Sequence, residues 1–261
     1  MKEIVIAFFL SLFFVGCADK NNILNVFETD TSIEQDVDDE FSDFDDEFET
    51  KKTSDPLEKY NRIVTGLNDK IYIYILEPTA STYAHVVPGD TRVAIKNFIY
   101  NLETPVRFTN NLLQFKFERA SIEGGRFVVN TIFGLGGFFD PAKSDLGWVS
   151  HDEDFGQTLG FYGMGDGIPI VLPLFGPSNI RDSIGLMVDS FVNPLSYMGH
   201  NTLDYKIPKN AEYGLTIKAY EVINKTSLQR GHYESIKKDA LDLYPFLQDS
   251  YQQLREQQIK E

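Results

Sequence analysis

The stretch spanning residues 124–185 constrains the fold more than any other. It reads GGRFVVNTIFGLGGFFDPA and, after a short gap, EDFGQTLGFYGMGDGIPIVLPLFGPSNIRDSIG. Gly, Phe, Ile, Leu and Pro dominate it, and the lysines and glutamates that coat a soluble surface are scarce. Such a stretch is either the buried centre of a globular domain or a surface turned toward an apolar phase. Its glycines and prolines rule out one long regular helix, so the chain must turn several times within it.

The remaining composition supports one large domain or two small ones in 261 residues, with 42% hydrophobic and 13% aromatic side chains to fill a core. The formal charge of −15 is unevenly spread. Residues 28–49 hold twelve acids and no base, whereas from residue 50 onward 22 basic residues face 25 acidic ones. The folded part is nearly neutral, and nothing in it suggests a basic nucleic-acid surface.

The N-terminus reads as a targeting segment. Lys2 precedes an apolar run over residues 4–15, too short to span a membrane and suited to a signal-peptide core. The run ends Phe14-Val15-Gly16-Cys17, a small residue directly before the only cysteine, which is the pattern of a bacterial lipobox with Phe14 where Leu is usual. Residues 1–16 are therefore expected to be a lipoprotein signal peptide and Cys17 the acylated mature N-terminus, and by resemblance to other bacterial lipoproteins Ala18 permits the outer membrane. Residues 17–54 are expected to be an acidic disordered tether, because so acidic a segment buries too little to offset its ordering entropy. Val37, Phe41, Phe44 and Phe48 nevertheless fall at helical spacing within it.

The domain is expected over residues 55–261. Asp55-Pro56-Leu57-Glu58 reads as a helix start with Asp as N-cap and Pro in the first turn. Leu57, Tyr60, Val64, Leu67, Ile71 and Tyr74 mark one helical face, predicting a helix to about residue 76 that Pro78 stops. Further helices are predicted over 91–102, 104–113, 117–133 and 153–159, over 177–191 restarting at Pro177, and over 211–228 and 235–260 with a break at Pro245. Gly134, Gly136 and Gly137 read as a backbone hinge. With no sustained strand alternation, the class is all-α, with long irregular Gly/Pro-rich connections.

Tests for chemistry find no constellation. The glycines at 163–167 and 134–137 follow no βαβ strand, so neither is a dinucleotide loop. Ser178 lacks the second glycine of a nucleophile elbow. The four histidines are scattered, and His151-Asp152-Glu153-Asp154 reads as an acidic helix start rather than a metal cluster. No catalytic residue, metal ligand or cofactor is assigned. Arg181-Asp182 follows the apolar run directly. It reads equally as an ion pair that fixes the turn and as a polar group able to meet a phosphate.

The chain resembles the MlaA/VacJ family of outer-membrane lipoproteins. The residues that carry the likeness are Asp55-Pro56-Leu57-Glu58 with Asn61-Arg62, Asn97-Phe98 with Asn101-Leu102, and Asn111 with Leu113-Gln114. Arg126-Phe127-Val128-Val129-Asn130-Thr131 and the segments 134–142, 153–160 and 172–182 follow in order. The resemblance implies an all-helical ring in the inner leaflet of the outer membrane, with a polar-sided passage through it. Phospholipid that has strayed to the outer leaflet would pass through to a soluble periplasmic lipid carrier, beside an outer-membrane trimeric porin, with no covalent chemistry. Asp154, Gln157, Asp166, Arg181 and Asp182 are the candidate polar groups near that passage, and the glycine hinge is a candidate for opening it. The rival expectation is a membrane-anchored interaction protein without a passage.

Overall fold

A computed structural model describes residues 55–199 and 205–261, within the compact unit Asp55–Glu261. The signal segment, Cys17 and the acidic stretch lie outside the described residues. The architecture is helical, with one small hairpin.

Helix α1 (Glu58–Ile71) begins where Asp55 accepts the Leu57 amide at 2.8 Å. It does not end before Pro78, as the sequence predicts. A π-helical turn over Tyr72–Leu76 leads directly into α2 (Glu77–Val86), with Pro78 in the first turn of α2. The wider turn removes the steric conflict that stops a proline in a regular helix. The carbonyls around it find other donors: Thr79 donates its hydroxyl to Ile75 at 2.6 Å and Thr82 to Pro78 at 2.9 Å.

Helices α3 (Gly89–Leu102) and α4 (Thr104–Leu113) meet at a corner where Pro105 opens α4. Helix α5 (Phe117–Ile132) packs against α4 and ends in the glycine turn. A four-residue helix, α6 (Pro141–Ser144), folds back on α5. Asn130 joins them, accepting the Ala142 amide at 3.0 Å and donating to Asp140 at 2.8 Å.

Helix α7 (Phe155–Phe161) is followed by β1 (Pro169–Leu172) and β2 (Gly176–Asn179), an antiparallel pair in which Pro169 faces Asn179 and Leu172 faces Gly176. The sequence predicts no strand here and starts a helix at Pro177. Instead Pro177 lies in β2, and α8 (Ile180–Val192) starts three residues later with Asn179 as N-cap. The outer edge of β1 is closed by α1. Asn61 donates to the Pro169 carbonyl at 3.0 Å and accepts the Val171 amide at 2.8 Å. Seven residues on, Asn68 does the same for the Leu172 carbonyl and the Leu174 amide. Two amide side chains on one helical face thus stand in for a third strand.

Helix α9 (Ala211–Leu228) packs against α2 and α3. The C-terminal segment is two helices, α10 (His232–Asp239) and α11 (Leu243–Lys260). The break falls before Pro245 rather than at it, because Pro245 sits in the first turn of α11, where no intrahelical N–H is required.

Burial is inverted relative to a water-soluble domain. Among the described residues, seven hydrophobic residues are buried against twenty-three polar or charged ones. Among the described residues the one cluster of buried apolar side chains is Val64, Val171 and Tyr244. Meanwhile Tyr74, Phe133, Leu135 and Leu174 are each 70% exposed or more. The interior is held by polar pairing instead. Gln114 donates to Glu153 at 2.7 Å, Arg107 to Glu123 at 2.8 Å and Arg126 to Asp140 at 2.7 Å. Among the described residues no helix is long and apolar enough to cross a membrane.

Candidate functional site

The five polar residues singled out in the sequence fall in one neighbourhood. Asp154 is the N-cap of α7 and accepts the Gln157 amide at 2.8 Å. Asp182, in the first turn of α8, accepts from Asn179 at 2.8 Å and from Arg181 at 2.9 Å. Arg181 also pairs with Asp166 across the loop that precedes the hairpin. Arg255 of α11, which the sequence analysis did not single out, ties the group together. Its Nη1 and Nη2 reach both Asp154 oxygens at 2.7 and 2.8 Å, and its Nε and Nη2 reach Asp182 at 3.0 Å each. Tyr251, one turn earlier, donates to Asp182 at 2.7 Å.

The helices carrying these groups approach closely enough for this to work. A Cβ at Gly185 would stand 2.4 Å from the Gly156 nitrogen, and one at Gly156 would stand 2.5 Å from Asp182 Oδ1. Burial alone would push the Asp182 carboxyl up, but the hydrogen bonds from Arg255 and Arg181 bring it down to about 2. For Asp154 burial also opposes ionisation, and Arg255 overcomes it, so that carboxyl too lies below its usual range. Arg181 and Asp182 therefore form the ion pair that fixes the turn into α8, one of the two readings left open by the sequence.

Beside this clamp lies a cleft of about 310 Å³. The corner of α3 and α4 contributes Tyr100, Glu103 and Arg107 to its wall, and the start of α7 contributes Asp152, Asp154 and Gln157. Asp189, Ser190 and Asn193 close it from α8. Of the five sequence candidates, Asp154 and Gln157 reach the cleft, whereas Asp166, Arg181 and Asp182 hold the structure behind it.

Inside the cleft the Arg107 guanidinium lies 3.6 Å from the centre of the Tyr100 ring. The Tyr100 hydroxyl donates to Asp152. Asp189 accepts the Phe155 amide at 2.9 Å and the Asn110 amide at 2.8 Å, both neutral donors. Burial dominates at Asp189 and raises its carboxyl to about 6. Burial likewise raises Glu103, which among the described residues accepts from Asn193 alone, at 3.0 Å.

Sequence reasoning missed Glu103, Arg107, Asp189 and Arg255. Asp189 carried a signal, an acid among the apolar residues Leu186, Met187, Val188, Phe191 and Val192 of α8. Nothing local ties residue 255 to residue 182.

The glycine turn after α5 is sterically specified. Gly137 has φ +103° and its missing Cβ would stand 2.5 Å from the Asn101 Cβ, while Asn101 donates to the Gly136 carbonyl at 3.2 Å. A Cβ at Gly134 would meet the Phe139 and Asn130 carbonyl oxygens at 2.4 and 2.5 Å.

The profile of the MlaA lipoprotein family matches residues 53–258. An uncharacterized protein of Rickettsia felis is 30% identical over 207 residues, covering 79% of this chain and 78% of its own length. The intermembrane phospholipid transport system lipoprotein MlaA of Haemophilus influenzae is 31% identical over 191 residues, covering 72% of this chain and 67% of the relative. Its Escherichia coli namesake is 38% identical over 148 residues, covering 56% of this chain and 59% of the relative. A solved structure described as the structural basis for maintenance of bacterial outer membrane lipid asymmetry is also similar. It aligns with a TM-score of 0.63 at 29% identity, over 79% of this chain and all of that one. The chain belongs to the MlaA lipoprotein family.

Proposed function

We propose that the protein is an outer-membrane lipoprotein that removes mislocalised phospholipid from the outer leaflet and hands it to a soluble periplasmic carrier, maintaining lipid asymmetry. The observation that carries this reading is the inverted burial. A polar interior with a polar cleft, wrapped in exposed Phe, Ile and Leu, suits a helical body embedded among acyl chains with a wet passage for headgroups. The names borne by the Haemophilus influenzae and Escherichia coli relatives support it.

In this reading Cys17 carries the acyl anchor and residues 17–54 tether the domain, Asp55 to Glu261, to it. Asp154 and Gln157 line the passage, and a trimeric porin of the outer membrane is the partner that steadies it. Each CH₂ of an acyl anchor that enters the bilayer contributes about 0.8 kcal/mol, so several chains hold the protein firmly. The chemistry is transfer between environments, with no bond made or broken.

The test is the phospholipid content of the outer leaflet in cells lacking the protein, with complementation by the wild type and by Cys17→Ala. Accumulation on deletion, cured by the wild type and not by Cys17→Ala, is the expected result. A normal outer leaflet on deletion would sink the proposal.

A further inference from the structure

The charge on the cleft wall is lopsided. Five acids line it, Glu103, Asp152, Glu153, Asp154 and Asp189, and Arg107 is the one base. Two of the acids are neutralised where they stand. Glu153 has Lys116 at 2.6 Å and Arg119 at 3.5 Å, and Asp154 has Arg255. Among the described residues the other three have no counter-ion nearer than 3.8 Å. Among the described residues Glu103 accepts a hydrogen bond from Asn193 alone, and Asp189 from Asn110 and a backbone amide. Asp152 has the Tyr100 hydroxyl, with Arg107 Nε no nearer than 3.8 Å. Burial raises the Glu103 and Asp189 carboxyls, and among the described residues no ion pair within the cleft offsets it.

Arg107 faces the same space. It is 93% buried, at 7% relative exposure. Its Nε donates to Glu123 at 2.8 Å and its Nη2 to Thr104 at 3.1 Å. Among the described residues its Nη1 has no hydrogen-bond acceptor, and it is not among the fully enclosed polar atoms. Arg107 lines the cleft with that N–H group unpaired among the described residues. A buried donor of this kind, with one free N–H edge, suits a phosphate oxygen. The three acids beside it suit a cation, and together they disfavour a second anion.

We propose that the cleft receives the zwitterionic headgroup of an aminophospholipid, its phosphate on Arg107 Nη1 and its primary ammonium among Glu103, Asp152 and Asp189, and that it discriminates against anionic headgroups. The inference rests on the lipid-passage reading of the same cleft. A volume of about 310 Å³ suits a headgroup and leaves the acyl chains to the apolar surface outside.

The experiment uses the full-length lipoprotein, incubated with vesicles of equal parts phosphatidylethanolamine and phosphatidylglycerol and re-isolated in detergent. Bound diacyl lipid is then quantified by mass spectrometry. The wild type is expected to retain phosphatidylethanolamine over phosphatidylglycerol by about tenfold, the factor that one modest uncompensated like-charge contact produces. Glu103→Gln with Asp189→Asn removes both charges, keeping the one acceptor oxygen that Glu103 uses and one of the two that Asp189 uses, and is expected to bring the ratio close to one. Arg107→Met with Glu123→Gln strands no buried charge and is expected to lower the total bound lipid several-fold.

A wild-type pool that mirrors the vesicle composition would overturn the headgroup assignment and leave the passage reading standing. Absence of bound lipid of either class would overturn both. Occupancy by added free phosphoethanolamine, with no diacyl lipid retained, would assign the cleft to a soluble ligand and overturn the proposal as well.

Discussion

Arg255 is the residue on which three helices depend. Its guanidinium satisfies Asp154 at the start of α7 and Asp182 at the start of α8, and it is itself carried by α11. Both carboxylates sit at the start of a helix, Asp154 as N-cap and Asp182 in the first turn, where the macrodipole already favours negative charge, and the guanidinium supplies the counter-charge. Replacing Arg255 by Met leaves two partly buried carboxylates without it, which costs about 3–5 kcal/mol. Chemical denaturation of the wild type and the variant in the same detergent reads that difference. A loss below about 1 kcal/mol would mean that the clamp is screened by solvent.

Asp182 and Asp189 also set opposite pH dependences. The folded-state value of about 2 at Asp182 lies below the usual one, so its contribution is present above about pH 4 and fades as pH falls toward 2. The value of about 6 at Asp189 lies above the usual one. There the folded state takes up a proton before the unfolded state does, and stability rises as pH falls from about 7 to 4. Asp189→Asn is expected to abolish that rise, on the order of 2 kcal/mol, with no change in the loss below pH 4. Unfolding midpoints at pH 7, 5 and 3 check both halves.

At the scale of elements, α4 (Thr104–Leu113) and α9 (Ala211–Leu228) have the bounds that the sequence pattern predicts, and α5 ends within one residue of its predicted end. These helices are marked locally, by Pro105 in a first turn, Asn210 as a cap and Gly134 just past an end. The hairpin was not legible. Its strands are four residues long, each contains a proline, and β2 reads Gly-Pro-Ser-Asn without an apolar alternation. What makes it a strand pair is distant, the amides of Asn61 and Asn68 reaching its edge from α1 more than a hundred residues earlier. The helix through Pro78 was missed for a related reason. Local rules place a stop at proline, and the π turn that avoids the stop has no sequence signature of its own.

Part of the site was legible for a local reason. Asp154 caps α7 within one residue of the helix start that the sequence predicts at 153, whereas the cap of α8, Asn179, falls two residues after the start predicted at Pro177. The closeness of α7 and α8 was not readable, since glycine at 156 and 185 reads equally as a turn or as a contact. That contact makes a prediction. An alanine at 185 would press on the Gly156 backbone, which cannot yield as a side-chain tip can. Gly185→Ala should cost about 1–3 kcal/mol of stability and weaken the Arg255 clamp along with it. Loss of helical signal at lower denaturant is the expected readout, and an unchanged midpoint would show that the two helices can separate freely.

For the whole molecule, the inversion of burial decides which solvent the fold fits. The amides and ion pairs inside provide directional contacts where aliphatic packing is thin, so the fold does not need to hide its Phe and Leu from a bilayer. Phe133 is 73% exposed and Phe139 is 59% exposed, on either side of the glycine turn after α5. In water that surface is unfavourable, and among acyl chains it contributes about 2–3 kcal/mol per ring. On the proposed acylation of Cys17, the belt can be separated from the anchor by working in Cys17→Ala, where the domain alone must hold to the membrane. Adding Phe133→Ser and Phe139→Ser to that background removes exposed rings and few internal contacts, so helical content and the unfolding midpoint should hold. Flotation with phospholipid vesicles should then fall at least tenfold below the Cys17→Ala parent, since each ring alone is worth more than the 1.4 kcal/mol that a factor of ten requires. Equal flotation of parent and variant would place this face away from lipid, and the inverted burial would then call for a protein partner over the same surface.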